Sequence, residues 1–196
     1  MGLMSGPFDV GRVRAALASG PSTDLERSRR AAVALVLAHR AVDQAFSLLL
    51  VRRAEREGDP WSGHMALPGG HAHATDADLL HTARRETLEE VGLDLSDAEM
   101  LGRLDDVSPM RSAEIVVRPF VFWTNDGRNV RPSAEVAEAL WVPLSTLAEG
   151  QLRSSREVDV RGTKLVVPAY VIDERVVWGM TFHLIEGFLQ RVRSFG

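Results

Sequence analysis

Arg85-Glu86-Thr87-Leu88-Glu89-Glu90 concentrates three carboxylates and a guanidinium in one short run, with Gly69-Gly70-His71-Ala72-His73 ahead of it. On a helix, residues three and four apart share a face, so Glu86, Glu89 and Glu90 project together and repel one another. Arg85 lies four residues before Glu89 and reaches its carboxylate, but one guanidinium cannot neutralise three glutamates. Mg2+ or Mn2+ would supply the remainder. These hard cations take oxygen ligands, and Mg2+ commonly combines one or two carboxylates with waters and substrate phosphates. The same run on a solvated helix would be an ordinary acidic face, so its meaning depends on the residues around it.

Such a set of side chains needs a rigid carrier. Thr75-x-x-Asp78 has the form of a capping box, with Thr75 accepting a backbone hydrogen bond and Asp78 suiting the positive helix start. That predicts a helix ending near Val91, with Gly92 in the left-handed turn just past it. Gly69 and Gly70 form a turn before the helix and allow close approach of backbone or ligand.

Upstream, apolar runs at 31–38 and 46–51 flank the polar stretch 39–44 and predict a hairpin of buried strands. The charged segment 55–63, with Gly58, Pro60 and Gly63, reads as a loop that shapes a substrate rim. Downstream, 99–105, 115–124 and 140–144 read as strands, and Pro119 assigns the second to an edge or bulge. Asn125-Asp126-Gly127 is a turn, Ser145 starts a short helix, and Arg161-Gly162 joins a hairpin. A last helix over 180–192 places Met180, Leu184, Phe188 and Val192 on one core-facing stripe. A first helix over 9–18, ended by Gly20-Pro21, makes residues 1–30 a helical extension and leaves 31–196 as a single domain.

The 196 residues suit one well-buried domain, and a formal net charge of -4 does not support a nonspecific grip on nucleic acid. The absence of cysteine excludes disulfides, thiolate metal ligands and a cysteine nucleophile, so any chemistry runs on oxygen and nitrogen. Neither a signal core nor a membrane-length apolar run is evident, and the expected location is cytoplasmic, without membrane partners.

Taken together, these residues resemble the Nudix hydrolase family. Its box runs from a glycine through a glutamate to Arg-Glu-aliphatic-x-Glu-Glu-x-Gly-aliphatic, and Arg85, Glu86, Glu89, Glu90, Gly92 and Leu93 fit the second half. Thr87 replaces an aliphatic residue. The interval from Gly70 to Arg85 is one residue longer than the family pattern, and the early glutamate falls on Asp76 or Ala77. That longer interval is similar to the coenzyme A pyrophosphatase-like branch, as are 49–54, Gly63-x-x-x-Leu67-Pro68-Gly69-Gly70 and Val177-Trp178-Gly179. Val51, Asp59 and Leu67 depart from it, standing where the branch has threonine, arginine and phenylalanine.

The resemblance implies an α/β/α sandwich with a mixed β-sheet and hydrolysis of a nucleoside diphosphate linked to another group. It implies Glu86, Glu89, Glu90 and the Gly70 carbonyl as metal ligands, with Glu86 a ligand or the group that positions water. Arg85 orients a glutamate, Glu135 is the later-loop base with Glu138 as fallback, and Arg53, Gly69 and Gly70 contact substrate. Arg52, His71 and His73 are weaker candidates, and Trp61 is the tryptophan placed for surface stacking. Coenzyme A or a derivative is the expected substrate, with ADP-ribose, NADH or an oxidised nucleotide as alternatives. A noncatalytic nucleotide-binding regulator is the reading from another class. The family analogy also favours a homodimer.

Overall fold

The structure, a computed structural model, describes residues 8–20, 22–40, 45–58, 61–109, 114–125, 130–160 and 162–195. In chain order the elements are α1 (Val10–Ala18), β1 (Arg29–Arg40), β2 (Ala45–Arg53), β3 (Met65–Ala66), β4 (Gly69–His71), α2 (Leu79–Val91) and β5 (Glu99–Arg103). They continue as β6 (Ile115–Thr124), β7 (Val136–Pro143), α3 (Leu144–Ala148), β8 (Arg153–Val160), β9 (Thr163–Ile172), β10 (Arg175–Trp178) and α4 (Gly179–Arg193). Pro21, Asp59, Pro60, Asp126, Gly127 and Arg161, to which the sequence assigns loops and turns, lie outside the described residues.

β1 and β2 form the expected antiparallel hairpin, with Leu37 opposite Leu48. β1 also pairs in parallel with β6, which makes the sheet mixed. Because side chains alternate across a strand, these continuous apolar runs supply two cores at once. Leu35, Leu37, Leu48, Leu50 and Val121 face one side with α3 and α4, whereas Ala34, Val36, Leu49, Val51 and Phe122 face the other with α2. The result is the α/β/α sandwich with a mixed sheet.

The hairpin splays apart. Ser47 and Leu48 of β2 pair with both β1 and β7, while Val51 and Arg52 pair with both β3 and β7. A strand has only two edges, so β3 takes the side that β1 has left. The same reasoning places β4 beside β1, where Ala32 is opposite Gly70. The segment from Met65 to His71 therefore fills the fork, and Gly69-Gly70 is a paired strand rather than a turn.

Several local expectations are corrected. The α2 N-cap is Asp78, which accepts from the His81 amide at 2.7 Å, so Thr75 is not the cap. Pro119 sits in a central strand between β1 and β5. Its carbonyl accepts from Leu104, just past the end of β5, so the missing donor falls where the ladder stops. A bulge does occur in the pairing of this strand, on β5 between Met100 and Gly102, opposite Phe122 and Val121. β5 also stops short of the expected residue 105. Gly92 does end α2 in the left-handed conformation, at φ 66°.

α1 is capped by Asp9 and buries Val13, Ala16 and Leu17 in the same core as α4, so it is packed onto the domain. β8, β9 and β10 form a second, antiparallel sheet, and β10 abuts β3. Among the described residues, no helix is long and apolar enough to cross a membrane.

Candidate active site

The fork in the sheet is where α2 meets β4. Gly69 donates its N–H to Glu90 Oε2 at 2.9 Å, and Glu90 is only 6% exposed. Burial pushes the Glu90 carboxyl up to about 7; the Gly69 N–H and Arg53 oppose that rise, and the charges of Glu86 and Glu135 add to it. Three groups chosen from sequence, Glu86, Arg53 and Glu135, thus act electrostatically on a fourth, Glu90.

Gly70 lies close against the end of Glu86 across the fork. A Cβ there would stand 2.5 Å from the carboxyl carbon of Glu86. Gly69 is confined by backbone instead: at φ 150°, its Cβ would lie 2.6 Å from Val33 Cα. The glycine pair therefore lets two carboxylates rest directly on the backbone of β4.

Arg85 is 16% exposed and spends its guanidinium on the protein. Its Nη1 donates to Glu86 Oε1 and Glu89 Oε2, each at 2.9 Å, and its Nη2 to the His71 carbonyl at 3.0 Å. Its Nε and Nη2 also grip Asp76 at 2.9 and 3.0 Å. Asp76 is 2% exposed and accepts further bonds from Thr82 Oγ1 and the His73 N–H. Arg85 above all, then these donors, hold the Asp76 carboxyl well below its usual range despite its burial. Of Asp76 and Ala77, on which the early glutamate position falls, Asp76 is the one that Arg85 grips.

The three glutamates are not gathered at a point. Among the described residues, no group of three acidic or histidine side chains stands close enough to hold a metal as it is. Glu89 is 56% exposed and leans to Arg85, while Glu90 turns in to Gly69, a separation that reduces their mutual repulsion. Thr87, where an aliphatic residue was expected, is fully buried and satisfies its hydroxyl on the Ala83 carbonyl at 2.7 Å.

Glu135 stands at the start of β7. Its carbonyl accepts from Ala54, and the Ser133 N–H is bound to the Glu90 carbonyl, which ties this loop to the end of α2. Its carboxylate pairs with Arg56 at 2.9 Å. Glu138 is engaged elsewhere, with Arg175 at 2.8 Å and Arg52 at 3.6 Å. The His71 ring lies 3.3 Å from Arg29, and His73 contributes its backbone to Asp76. Trp61 is exposed, as expected, and meets His64 edge-on.

Sequence reasoning missed Thr82 and Arg56 and left Asp76 undecided. Asp76 and Thr82 meet across the helix start, where no helical or strand period applies. Arg56 and Glu135 are separated by 79 residues, and only strand pairing brings them together.

The NUDIX domain family model matches residues 28–160. The chain is 30% identical to the human mitochondrial coenzyme A diphosphatase NUDT8, over 84% of this chain and 70% of that protein. It is 30% identical to an uncharacterised Nudix hydrolase, NudL, of Photorhabdus laumondii, over 94% of this chain and 96% of that one. An uncharacterised Schizosaccharomyces pombe protein is 35% identical over 73% of this chain, which spans half of that protein's length. In fold, the chain is similar to a MutT/nudix family protein from Enterococcus faecalis, with a TM-score of 0.56 and 17% identity, covering 89% of this chain and 66% of that one. A match over most of the chain, together with a glutamate helix seated in the sheet fork, places this protein in the Nudix hydrolase family.

Proposed function

We propose that this protein is a divalent-metal-dependent pyrophosphohydrolase whose substrate is coenzyme A or a derivative. The observation that carries the reading is the seating of Glu86 and Glu90 on the Gly69-Gly70 backbone, with Arg85 clamped by Asp76. An all-oxygen donor set fits a hard cation, and burial disfavours the charged form of the Glu90 carboxyl, which a bound cation would favour. Glu86, Glu89, Glu90 and the Gly70 carbonyl would hold Mg2+ or Mn2+, which when bound neutralises phosphate oxygens and polarises a water.

The chain's own residues do the remaining work. Arg85 holds Glu86 and Glu89 in register and is a positioning residue. Arg53, at the end of β2, donates to phosphate oxygens of the substrate. Glu135 accepts the proton of the attacking water at its carboxylate, and Glu86 orients that water. With coenzyme A, water breaks the P–O–P bridge to give 3′,5′-ADP and 4′-phosphopantetheine. Residues 31–196 form the catalytic unit and 1–30 an extension whose helix α1 packs on it; the reading includes a cytoplasmic location and a homodimer.

The coenzyme A assignment is supported by the long glycine-to-arginine interval and by the similarity to a protein named coenzyme A diphosphatase. The test is a hydrolysis panel of coenzyme A, ADP-ribose, NADH and nucleoside triphosphates with Mg2+ or Mn2+, run beside Glu89→Gln. Coenzyme A is expected to turn over best, with Glu89→Gln severely impaired. Turnover of ADP-ribose with coenzyme A untouched would overturn the substrate assignment. Full activity in Glu89→Gln would overturn the metal site.

A further inference from the structure

A cleft of about 650 Å³ lies between the β2–β3–β7 edge of the main sheet and the second sheet. It is on the face away from α2. Leu48 and Leu50 face the α4 side, so strand alternation turns Arg52 to the same side, where it lines the cleft with Met65. Its neighbour Arg53 acts on Glu90 across the sheet. Arg52 and Arg53 face opposite sides by ordinary strand alternation, and the pairing irregularity beside them skips Ala137 of β7. The strand end at 52–53 therefore stands between the expected diphosphate site and the cleft, and the Arg53 amide is bonded to the His64 carbonyl at the cleft wall.

The lining states what kind of group would fit. Among the described residues the two cleft guanidiniums already face carboxylates: Arg175 bonds Glu138 and pairs with Asp173 at 3.2 Å, and Arg52 pairs with the same Glu138 at 3.6 Å, its Nε making no hydrogen bond. Asp159 and Glu174 add two further carboxylates to the wall. Another phosphate entering here would meet surplus negative charge, whereas hydroxyl or amide donors would meet acceptors. At the rim the His64 ring lies 5.2 Å from Trp178 and 5.8 Å from Trp61, an aromatic row suited to a slender aliphatic stem. The volume is that of a small-molecule site.

We propose that this cleft is the specificity subsite for the group beyond the diphosphate, and that it takes an uncharged arm bearing hydroxyl or amide donors. The inference rests on the pyrophosphohydrolase reading above. Two sources share this chemistry, the pantetheine arm of coenzyme A and the terminal ribose of ADP-ribose.

The test compares the wild type with His64→Ala and with Asp173→Asn/Glu174→Gln, in full-length protein with Mg2+. Asparagine tolerates the left-handed backbone of Asp173, at φ 54°, so the double variant keeps its turn. KM for coenzyme A is expected to rise roughly five- to tenfold in both variants, the loss of a hydrogen bond or a ring contact, with kcat little changed. The same rise for ADP-ribose but not coenzyme A assigns the cleft to ribose. A KM that moves less than about twofold for every substrate hydrolysed overturns the subsite. If the wild type hydrolyses neither compound, the substrate reading has failed on its own, and tryptophan fluorescence titration with pantetheine and with ribose judges the cleft. Saturable quenching that is weakened in His64→Ala upholds the subsite, and no saturable quenching in the wild type refutes it.

Discussion

Replacing Asp76 by asparagine tests the clamp on which the glutamate face depends. The side chain is 2% exposed and accepts two bonds from Arg85, one from Thr82 and one from His73. Asparagine keeps the shape, removes the charge and turns one acceptor into a donor facing a guanidinium. Removing one partner of a buried ion pair costs about 3–5 kcal/mol. Arg85 retains Glu86, Glu89 and the His71 carbonyl, so the expected loss is about 2–3 kcal/mol, read by urea unfolding. For a chain of this size that is a fall in Tm of roughly 4–12 °C. With Arg85 loosened, Glu86 and Glu89 lose their aim and kcat should drop about 10- to 100-fold.

The pH dependence has a definite sign. Arg85 holds the Asp76 carboxyl below its unfolded value, so its stabilisation is complete above about pH 4 and fades as pH falls through the folded value. The gap between wild type and Asp76→Asn must therefore narrow in acid. A stability difference under about 0.5 kcal/mol at neutral pH, or one unchanged down to low pH, would refute the clamp.

The two glycines of β4 should separate stability from catalysis. Gly69→Ala drives a Cβ into the Ala32 carbonyl and Val33 Cα, backbone that cannot yield, and should cost more than about 3 kcal/mol in urea unfolding. Gly70→Ala meets only the end of Glu86, which can swing aside, so stability should fall by less than about 1 kcal/mol while kcat falls roughly tenfold. Asp106 is a separate acid-sensitive pin: burial alone would raise its carboxyl, but Arg118, the Leu25 N–H and Arg103 together hold it low. Its contribution is present above about pH 4 and lost as pH falls through its depressed folded value, so Asp106→Asn should flatten the acid limb of urea midpoint against pH.

Periodicity made the central parts of the fold legible. The apolar runs at 31–38, 46–51 and 115–124 had to be buried on both faces, and the Arg85-to-Gly92 spacing placed three carboxylates on one helix whatever surrounded it. Local rules misled where two residues could play the same role. Thr75 and Asp78 both suit a helix cap, and the hydrogen bond to His81 falls to Asp78. Pro119 implied an edge or a bulge; the strand is central, with a bulge in its pairing to β5, and accepts the proline because its missing donor falls past the end of β5.

What the amino-acid sequence determined by itself is the inventory, namely the glutamate face, the glycine pair and the central apolar strands β1, β2 and β6, because each follows from spacing within one element. Tertiary structure alone decided that Met65 to His71 would fill the fork between β1 and β2, that Asp76 would anchor Arg85, that Glu135 would act on Glu90, and that Arg52 would meet Arg175 and the second sheet across a cleft. Each of these depends on which edge a strand offers and which donor reaches a buried acceptor first. Such choices join segments far apart in the chain, and no local period records them.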